Sequence, residues 1–555
     1  MISRLVSPRD ILLLVAGAAS MYLLSAWFLI PDRITVNTHF NQYPIALDHT
    51  TAKLSGRATT TVYTTRHATR TINQFRTATV TETVTETVAP EPTNSIDLAP
   101  VIPETTIIQH APGWTVFRNL YMAHGTLYIV TSDREAFPQI RTMSSTGIAF
   151  KNNPDNIEDR DATPENMDFL TPEEAKDLWG PDFTIGETFN RIVSVEGSTW
   201  LFNDPRQFLH HYYHLVAELL FGAWAIWTGS FTESSYDTVF QYADVYSPPP
   251  KVDRMIFVHS DADGWRDSPG FDAYFLRAAF PSTTIEHAED WQDRVTMSTT
   301  NTSHDDFYSA THQRAWHFPL VLLADRSGAF RGQSCGSRTQ RTASEAWEAM
   351  ITRGQLPGLA VGGWWSPIRK AVWKFAALRV GGPEAMILPM TQLPAPETIV
   401  ITYISRQAGN RRKLIDEDHE GLVSALQELV DRKGQGWEFQ LLEAEKMTKD
   451  SQVRAVSRST IMLGVHGNGL THLVLMPPSR LSTVIEIFYP EGFAHDYQWT
   501  TTALGMTHFS VWNDTYHSVF DKPSVHYPEG FQGTEIPVHG PTVAKLIEDR
   551  VEGRL

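Results

Sequence analysis

Ile461–Tyr489 reads IMLGVHGNGLTHLVLMPPSRLSTVIEIFY. An apolar run, Ile461–Val465, leads straight into His466-Gly467-Asn468-Gly469. A short helical stretch follows, then a second apolar run that carries one carboxylate, Glu486. The order is buried strand, glycine turn, helix, buried strand. Glycines in such a turn let backbone N–H groups approach a phosphate, and the next helix turns its positive end toward the charge. Glu486 lies in a run too apolar to face solvent. A tight turn with a buried, paired Glu would explain either feature singly. The turn, Pro477-Pro478 and the Glu-bearing strand together favour a ligand site.

The surrounding pattern is regular. Thr398–Ile404 is an apolar β-branched strand, and Asp416–Arg432 is a helix with Leu422, Val423, Leu426, Leu429 and Val430 on one face, closed by Gly434. Trp437–Leu442 reads as a strand, Asp450–Ser457 as a helix, Asn468–Leu475 as a helix and Thr483–Phe488 as a strand. Strands alternating with helices, and apolar throughout, predict a parallel sheet covered on both faces. Ligands of such sheets sit beyond the carboxyl ends of the strands, where the glycine turn falls. Residues 397–520 are therefore expected to form a Rossmann-like, phosphate-binding domain.

Upstream, Gly381–Glu397 contains Pro383, Pro389, Pro394 and Pro396, which marks a domain boundary. Before it, Thr126–Val130, Thr199–Phe202, Thr238–Phe240 and Arg254–Val258 read as strands. A long helix is expected from Pro205 to Trp227 with Asp204 as its N-cap. Another is expected over Ser366–Leu378, capped by Ser366.

The chain has 555 residues, enough for two or three domains. Its net charge of −17 argues against a nucleic-acid partner. Cys335 is the only cysteine, so no intramolecular disulfide forms. No CxxC, HExxH or Walker motif occurs, which sets aside the usual zinc and P-loop readings. Ile11–Ile30 is an uncharged apolar run long enough to cross a bilayer. Arg4 and Arg9 before it keep residues 1–10 in the cytosol and send the rest across. A cleaved signal peptide would need a shorter apolar region and a small-x-small site, which Phe28-Leu29-Ile30-Pro31 does not offer. Residues 31–100 read as a stem: between Thr50 and Thr93, 16 of 44 residues are threonine. Alternating Thr and Val would suit a strand, but apolar mass is too sparse for a core, so a solvated, O-glycosylated spacer is expected. Two N-glycosylation sequons, at Asn301 and Asn513, lie on the lumenal side this topology predicts.

Gly464-Val465-His466-Gly467-Asn468-Gly469-Leu470-Thr471-His472, with Pro477-Pro478 and Val484-Ile485-Glu486-Ile487, resembles the signature of family 61 glycosyltransferases. That family includes plant β-1,2-xylosyltransferases and has secretory-pathway O-GlcNAc transferases as relatives. Tyr403-Ile404-Ser405-Arg406, with Arg411-Arg412 behind, resembles the family's strand-end arginines, and Tyr213–Glu218 its His-x-x-x-acid helix. Asn468 stands where the family often has Ala. The resemblance covers roughly residues 190–520. It implies a GT-B-like α/β fold: two Rossmann-like domains (101–396 on the acceptor side, 397–520 on the donor side) facing a cleft, with 521–555 packing back. It also implies inversion at the anomeric carbon and a nucleotide-sugar donor, usually a UDP-sugar, acting on a glycan or glycoprotein. With the anchor at 11–30 and the stem, the layout is that of a type II enzyme of the Golgi or endoplasmic reticulum with a lumenal catalytic domain.

Transfer with inversion needs a base for the acceptor hydroxyl and counter-charge for the departing diphosphate. Without a metal, that charge falls to arginine forks and helix N-termini: Arg406, Arg411 and the turn Gly467-Asn468-Gly469, helped by Thr471. No cofactor beyond the donor is expected. Arg412 and Lys413 read as solvated loop. Glu486 is expected to accept from ribose hydroxyls. His214 and Glu218 are four apart on one helical face, with His210 on the same stripe and His211 beside it. Glu218, His214 and, from across the cleft, His466 are the candidate bases; a buried, mutually satisfied His–Glu pair is the structural alternative. Asp261-Ala262-Asp263 has the DxD form of metal-dependent transferases but reads as a chance loop, so no metal ligand is assigned. Trp364, Trp365 and Trp373 read as core rather than as sugar platforms. A fold-retaining sugar-binding or scaffolding protein is the alternative function, and none of its signatures, loss of Arg406, the glycines or Glu486, is present. An anchored two-carboxylate hydrolase has no need of the phosphate turn.

Overall fold

The computed structural model describes residues 61–72, 76–87, 101–151, 155–181, 189–232, 248–298, 313–329, 337–356, 362–379, 393, 395–520 and 522–555. Residues 1–95 and 96–555 are two compact units. In the first, β1 (Thr61–Ile72) and β2 (Arg76–Thr87) pair antiparallel, Thr61 opposite Thr87. These strands lie in the stretch expected as a solvated Thr-rich spacer, where β-branched residues alternating at period two favour an extended backbone. The expected anchor at 11–30, the sequon at Asn301, Cys335, the strand at 238–240 and most of the proline-rich linker lie outside the described residues. Among the described residues no helix is long and apolar enough to cross a membrane.

The second unit is mixed α/β with two sheets. The first contains β3 (Thr106–Ala111), β4 (Trp114–Ala123), β5 (Thr126–Val130), β6 (Met167–Leu170), β7 (Ile192–Ser194), β8 (Ser198–Phe202), β9 (Arg254–Phe257), β10 (Thr284–Glu286) and β11 (Ala315–Ala324). Its order is β10-β9-β8-β11-β4-β5-β6, with β3 on β4 and β7 on β11. It is a mixed sheet: β10, β9, β8 and β11 run parallel, while β4 is antiparallel to β11 and to β5.

The second sheet contains β12 (Ile399–Ile404), β13 (Trp437–Leu442), β14 (Ile461–Val465), β15 (Thr483–Phe488), β16 (Thr507–Trp512) and β17 (Thr515–His517), in the order β13-β12-β14-β15-β16-β17. All neighbours are parallel except β16 and β17. Its two faces follow from the period of two. Ile401, Tyr403, Ile461, Leu463, Ile485 and Ile487 pack against the helices Asp416–Lys433 and Gly540–Val551, while Ile404, Met462 and Val484 enter a core shared with the first sheet's helices. Glu486 belongs to this second set by register, opposite Gly464 and Ser510.

Two helices differ from expectation. The stretch from Pro205 to Trp227 is broken into a 3-10 turn (Arg206–Phe208), a π-helix (Tyr213–Leu220) and an α-helix (Phe221–Ser230). Asp204 does not cap it, because its carboxylate is held by Arg326 instead. Ser366 is the first residue of the helix Ser366–Phe375, not its cap.

Candidate active site

β12 and β14 are neighbours, yet the chain leaves them in opposite directions, to β13 on one side and β15 on the other. A crevice opens at such a reversal, beyond the strands' carboxyl ends. The residues placed there are Arg406, just past β12, and His466-Gly467-Asn468-Gly469, directly after β14. Gly467 has φ 149°, and a Cβ on it would run into the Arg406 guanidinium; a Cβ on Gly469 would lie 2.9 Å from Ile404 Cγ2. The turn is glycine because an arginine lies against it.

A cavity of ≈ 420 Å³ opens beside this junction. Arg406, Asn468 and Gly469 line it together with the rings of Tyr212, Phe271 and His472. Behind Arg406 lies a cationic cluster. Burial, and then the neighbouring Arg412, brings the Arg406 guanidinium down to about 10, and burial also lowers Arg412. The Nε donors of both are enclosed without a hydrogen-bond partner among the described residues. Arg412, expected in solvated loop, is half-buried with φ 53°, whereas Arg411 beside it is exposed. Among the described residues, the positive charge on Arg406 and Arg412 thus gathers with no carboxylate within salt-bridge distance, as a polyanion site requires.

The π-helix brings His214 and Glu218 together as expected, with Nδ1 of His214 3.0 Å from Glu218 Oε2. Glu218 is 1% exposed, and the same oxygen accepts from Arg326 Nη1 at 2.6 Å. Arg326 also bonds Asp204 through Nε at 2.6 Å and donates to the His214 carbonyl at 3.0 Å. That last bond draws on a carbonyl the helix would otherwise use, at the start of the π-turns. Glu218 is thus fixed in a buried ion pair, and His214, with 21% of its side chain exposed, is the accessible member of the pair. His211 packs against it, ring centroids 4.8 Å apart, and burial holds that imidazole down at about 3.

Glu486 stands elsewhere than a ribose contact requires. It is fully buried, Oε1 2.5 Å from His466 Nδ1 and Oε2 2.8 Å from His508 Nε2. Burial pushes this carboxyl well up and holds His466 well below the ordinary imidazole range. His466 is 6% exposed and stacks on Phe488, so the trio braces the glycine turn from beneath. Asn468 has an unforeseen job: its Oδ1 accepts from the Tyr213 backbone N–H at 3.0 Å, tying the turn to the start of the π-helix. Thr471 is buried and donates to the same oxygen at 3.4 Å.

Asp496, which carried no sequence signal, ties the π-helix to the second half through its backbone. It opens the helix Asp496–Ala503, and its backbone carbonyl accepts from Tyr213 Oη at 2.6 Å. Arg326 could have been suspected: an Asp-Arg pair directly follows an apolar strand, β11. Asp261 bonds Arg206 at 3.1 Å and turns the chain onto Gly264, so the DxD is a closed loop. Trp364 and Trp365 are fully buried.

A family model described as Glycosyltransferase 61 matches residues 212–485, which hold the π-helix, Arg326, the Arg406–Arg412 loop and the glycine turn. No curated protein matches the chain.

Proposed function

Because the chain is a glycosyltransferase of family 61, we propose that it transfers a sugar, with inversion, from a UDP-sugar to a glycan or glycoprotein hydroxyl. The observation that carries this is the junction of Arg406 with Gly467 at the mouth of the ≈ 420 Å³ cavity. The nucleoside would lie among the rings of Tyr212, Phe271 and His472. The diphosphate would lie on Arg406, Arg412 and the turn amides, with exposed Arg411 reaching its outer oxygens. Guanidinium forks then supply the counter-charge for the leaving group, which favours metal-independent transfer.

Beyond the phosphates the sugar would meet His214. With Nδ1 turned to Glu218, its Nε2 is the nitrogen left to accept a proton. The acceptor oxygen attacks the anomeric carbon, its proton passes to His214, and the bond to the diphosphate oxygen breaks with its electron pair on the leaving group. Glu218 orients the ring and shares its charge; Arg326 and Asp204 fix Glu218. In this reading Glu218 and His466 do not touch the acceptor. The fold would be GT-B-like, with the second sheet on the donor side. The uncharged run at 11–30 and the Thr-rich stretch after it support a type II enzyme acting in the lumen of the Golgi or endoplasmic reticulum.

The test is thermal unfolding of the purified protein with nucleotide diphosphates and their sugars, alongside UDP release on an acceptor panel. UDP should raise Tm in the wild type and leave Arg406→Ala unshifted. Binding without turnover on any acceptor would favour a sugar-binding scaffold.

A further inference from the structure

The rings that line the cavity are joined by a chain of hydrogen bonds whose directions follow from one another. It begins at Gln452, a cavity-lining residue only 4% exposed, in the helix Lys449–Val456. Its Nε2 donates to the Ala444 carbonyl at 2.8 Å and to that of Met447 at 3.3 Å, both in the segment after β13. Two carbonyl oxygens can accept only from the amide nitrogen, so the amide has one orientation. Oε1 then faces His472 Nε2 at 3.0 Å, and that ring nitrogen must carry the proton. Nδ1 is left bare and accepts from Tyr212 Oη at 3.3 Å. Burial brings the imidazole down to about 4, so the ring stays neutral in this one tautomer.

The chain crosses between the two halves of the unit: Gln452 and His472 come from the second, Tyr212 from the first. His472 stands edge-on to Tyr212 and to Phe271, with centroids 5.5 and 4.8 Å apart. Both nitrogens of His472, the Tyr212 proton and both Gln452 amide protons are spent inside the protein. What these rings offer a ligand is therefore their surface, not a proton.

We propose that Gln452 is a positioning residue for donor binding: by fixing the tautomer of His472 it pins the Tyr212 hydroxyl and so sets the ring wall on which the nucleoside packs. This rests on the reading of the cavity as the nucleoside site. In the other tautomer a bare Nε2 would face Oε1, acceptor against acceptor, and Nδ1–H would turn the Tyr212 proton away. Buried polar atoms left in that state must move, and the rings move with them.

The experiment compares wild type with Gln452→Met, close in length but without the amide. It uses calorimetric titration with UDP and with inorganic pyrophosphate, steady-state kinetics, and the ring-nitrogen NMR shifts of isotope-labelled histidines, with His472→Gln giving the assignment. The wild type should show His472 protonated at Nε2, with ring signals that shift on adding UDP. Gln452→Met should lose that single tautomer, weaken UDP about tenfold and raise donor KM in step, with kcat within about twofold and pyrophosphate binding unchanged. In a Tyr212→Phe background the same substitution should weaken UDP less than about threefold, because the end of the chain is already cut. A full tenfold loss in that background overturns the proposal. So does a wild-type His472 protonated at Nδ1, an undiminished UDP affinity in Gln452→Met, or a loss that pyrophosphate shares. If Gln452→Met does not fold, the wild-type spectrum still decides, since His472 signals that ignore UDP overturn the proposal. A wild type that binds pyrophosphate but not UDP overturns the nucleoside reading and this one with it. UDP binding with the expected tautomer and no transfer to any acceptor overturns the transferase reading and supports this one.

Discussion

At the scale of single residues, the division of labour between His214 and Glu218 rests on exposure. A carboxylate 1% exposed and bonded to Arg326 at 2.6 Å has no route to an acceptor hydroxyl. His214→Asn should therefore lower kcat by about 10²–10⁴-fold and leave UDP binding and stability near wild type. Glu218→Gln should lower both activity and stability. Breaking a buried pair typically costs ~3–5 kcal/mol, and this loss belongs at the low end because Asp204 stays on Arg326. Urea unfolding and steady-state kinetics separate the two; wild-type turnover in His214→Asn would remove it as base. The pair itself was legible, since four-residue spacing puts both groups on one helical face. Arg326 was not, because it arrives from 108 positions away and spacing encodes only local neighbours. Arg412 was misjudged for a similar reason: the run Arg411-Arg412-Lys413 does not say which side chain turns inward.

At the scale of elements, β12, β14 and the turn after β14 form the phosphate-binding part. Gly467→Ala should weaken UDP binding at least about tenfold, roughly 1.4 kcal/mol, with little change in Tm. At φ 149° a side chain is strained, and its Cβ would displace the Arg406 guanidinium, whereas the packed core is untouched. Isothermal titration calorimetry reads the effect, and unchanged affinity would take Arg406 out of the diphosphate site. Strands β12 to β15 of the second sheet were legible to within a residue, because they are short apolar runs bounded by turns, whereas β16, THFSVW, mixes polar residues into its run and was not read as a strand. The helix from Pro205 was legible as helical but not as broken. Its π-turns are shaped by Arg326 on the His214 carbonyl and Asn468 on the Tyr213 N–H, both from distant segments. Glu486 was legible as a buried, used carboxylate, but the two histidines that use it lie on the β14 turn and β16, where register rather than sequence proximity brings them in.

At the scale of the whole molecule, each sheet has a cluster of its own on one side, and the two share a third. One cluster joins Trp200, Phe221 and Trp365 from the first half to Leu473, Val474 and Leu504 from the second. Indole N–H groups cross the same seam: Trp365 to the Val474 carbonyl at 3.0 Å, Trp373 to that of Leu475 at 3.0 Å, and Trp364 to that of Ala503 at 3.4 Å. The tryptophans read as core in the sequence are thus the core of the junction, and Arg369 adds a bond to Val474 there. Fully burying a side chain such as Leu473 is worth about 1.5–3 kcal/mol, so several exposed at once exceed the marginal stability of a domain this small. A fragment beginning at residue 395 should therefore keep its secondary structure but lose cooperative unfolding, binding ANS and showing weak near-ultraviolet circular dichroism. Residues 96–555 together should unfold in one transition. A sharp, reversible transition in the isolated 395–555 fragment would mean that the seam is a contact between independent domains.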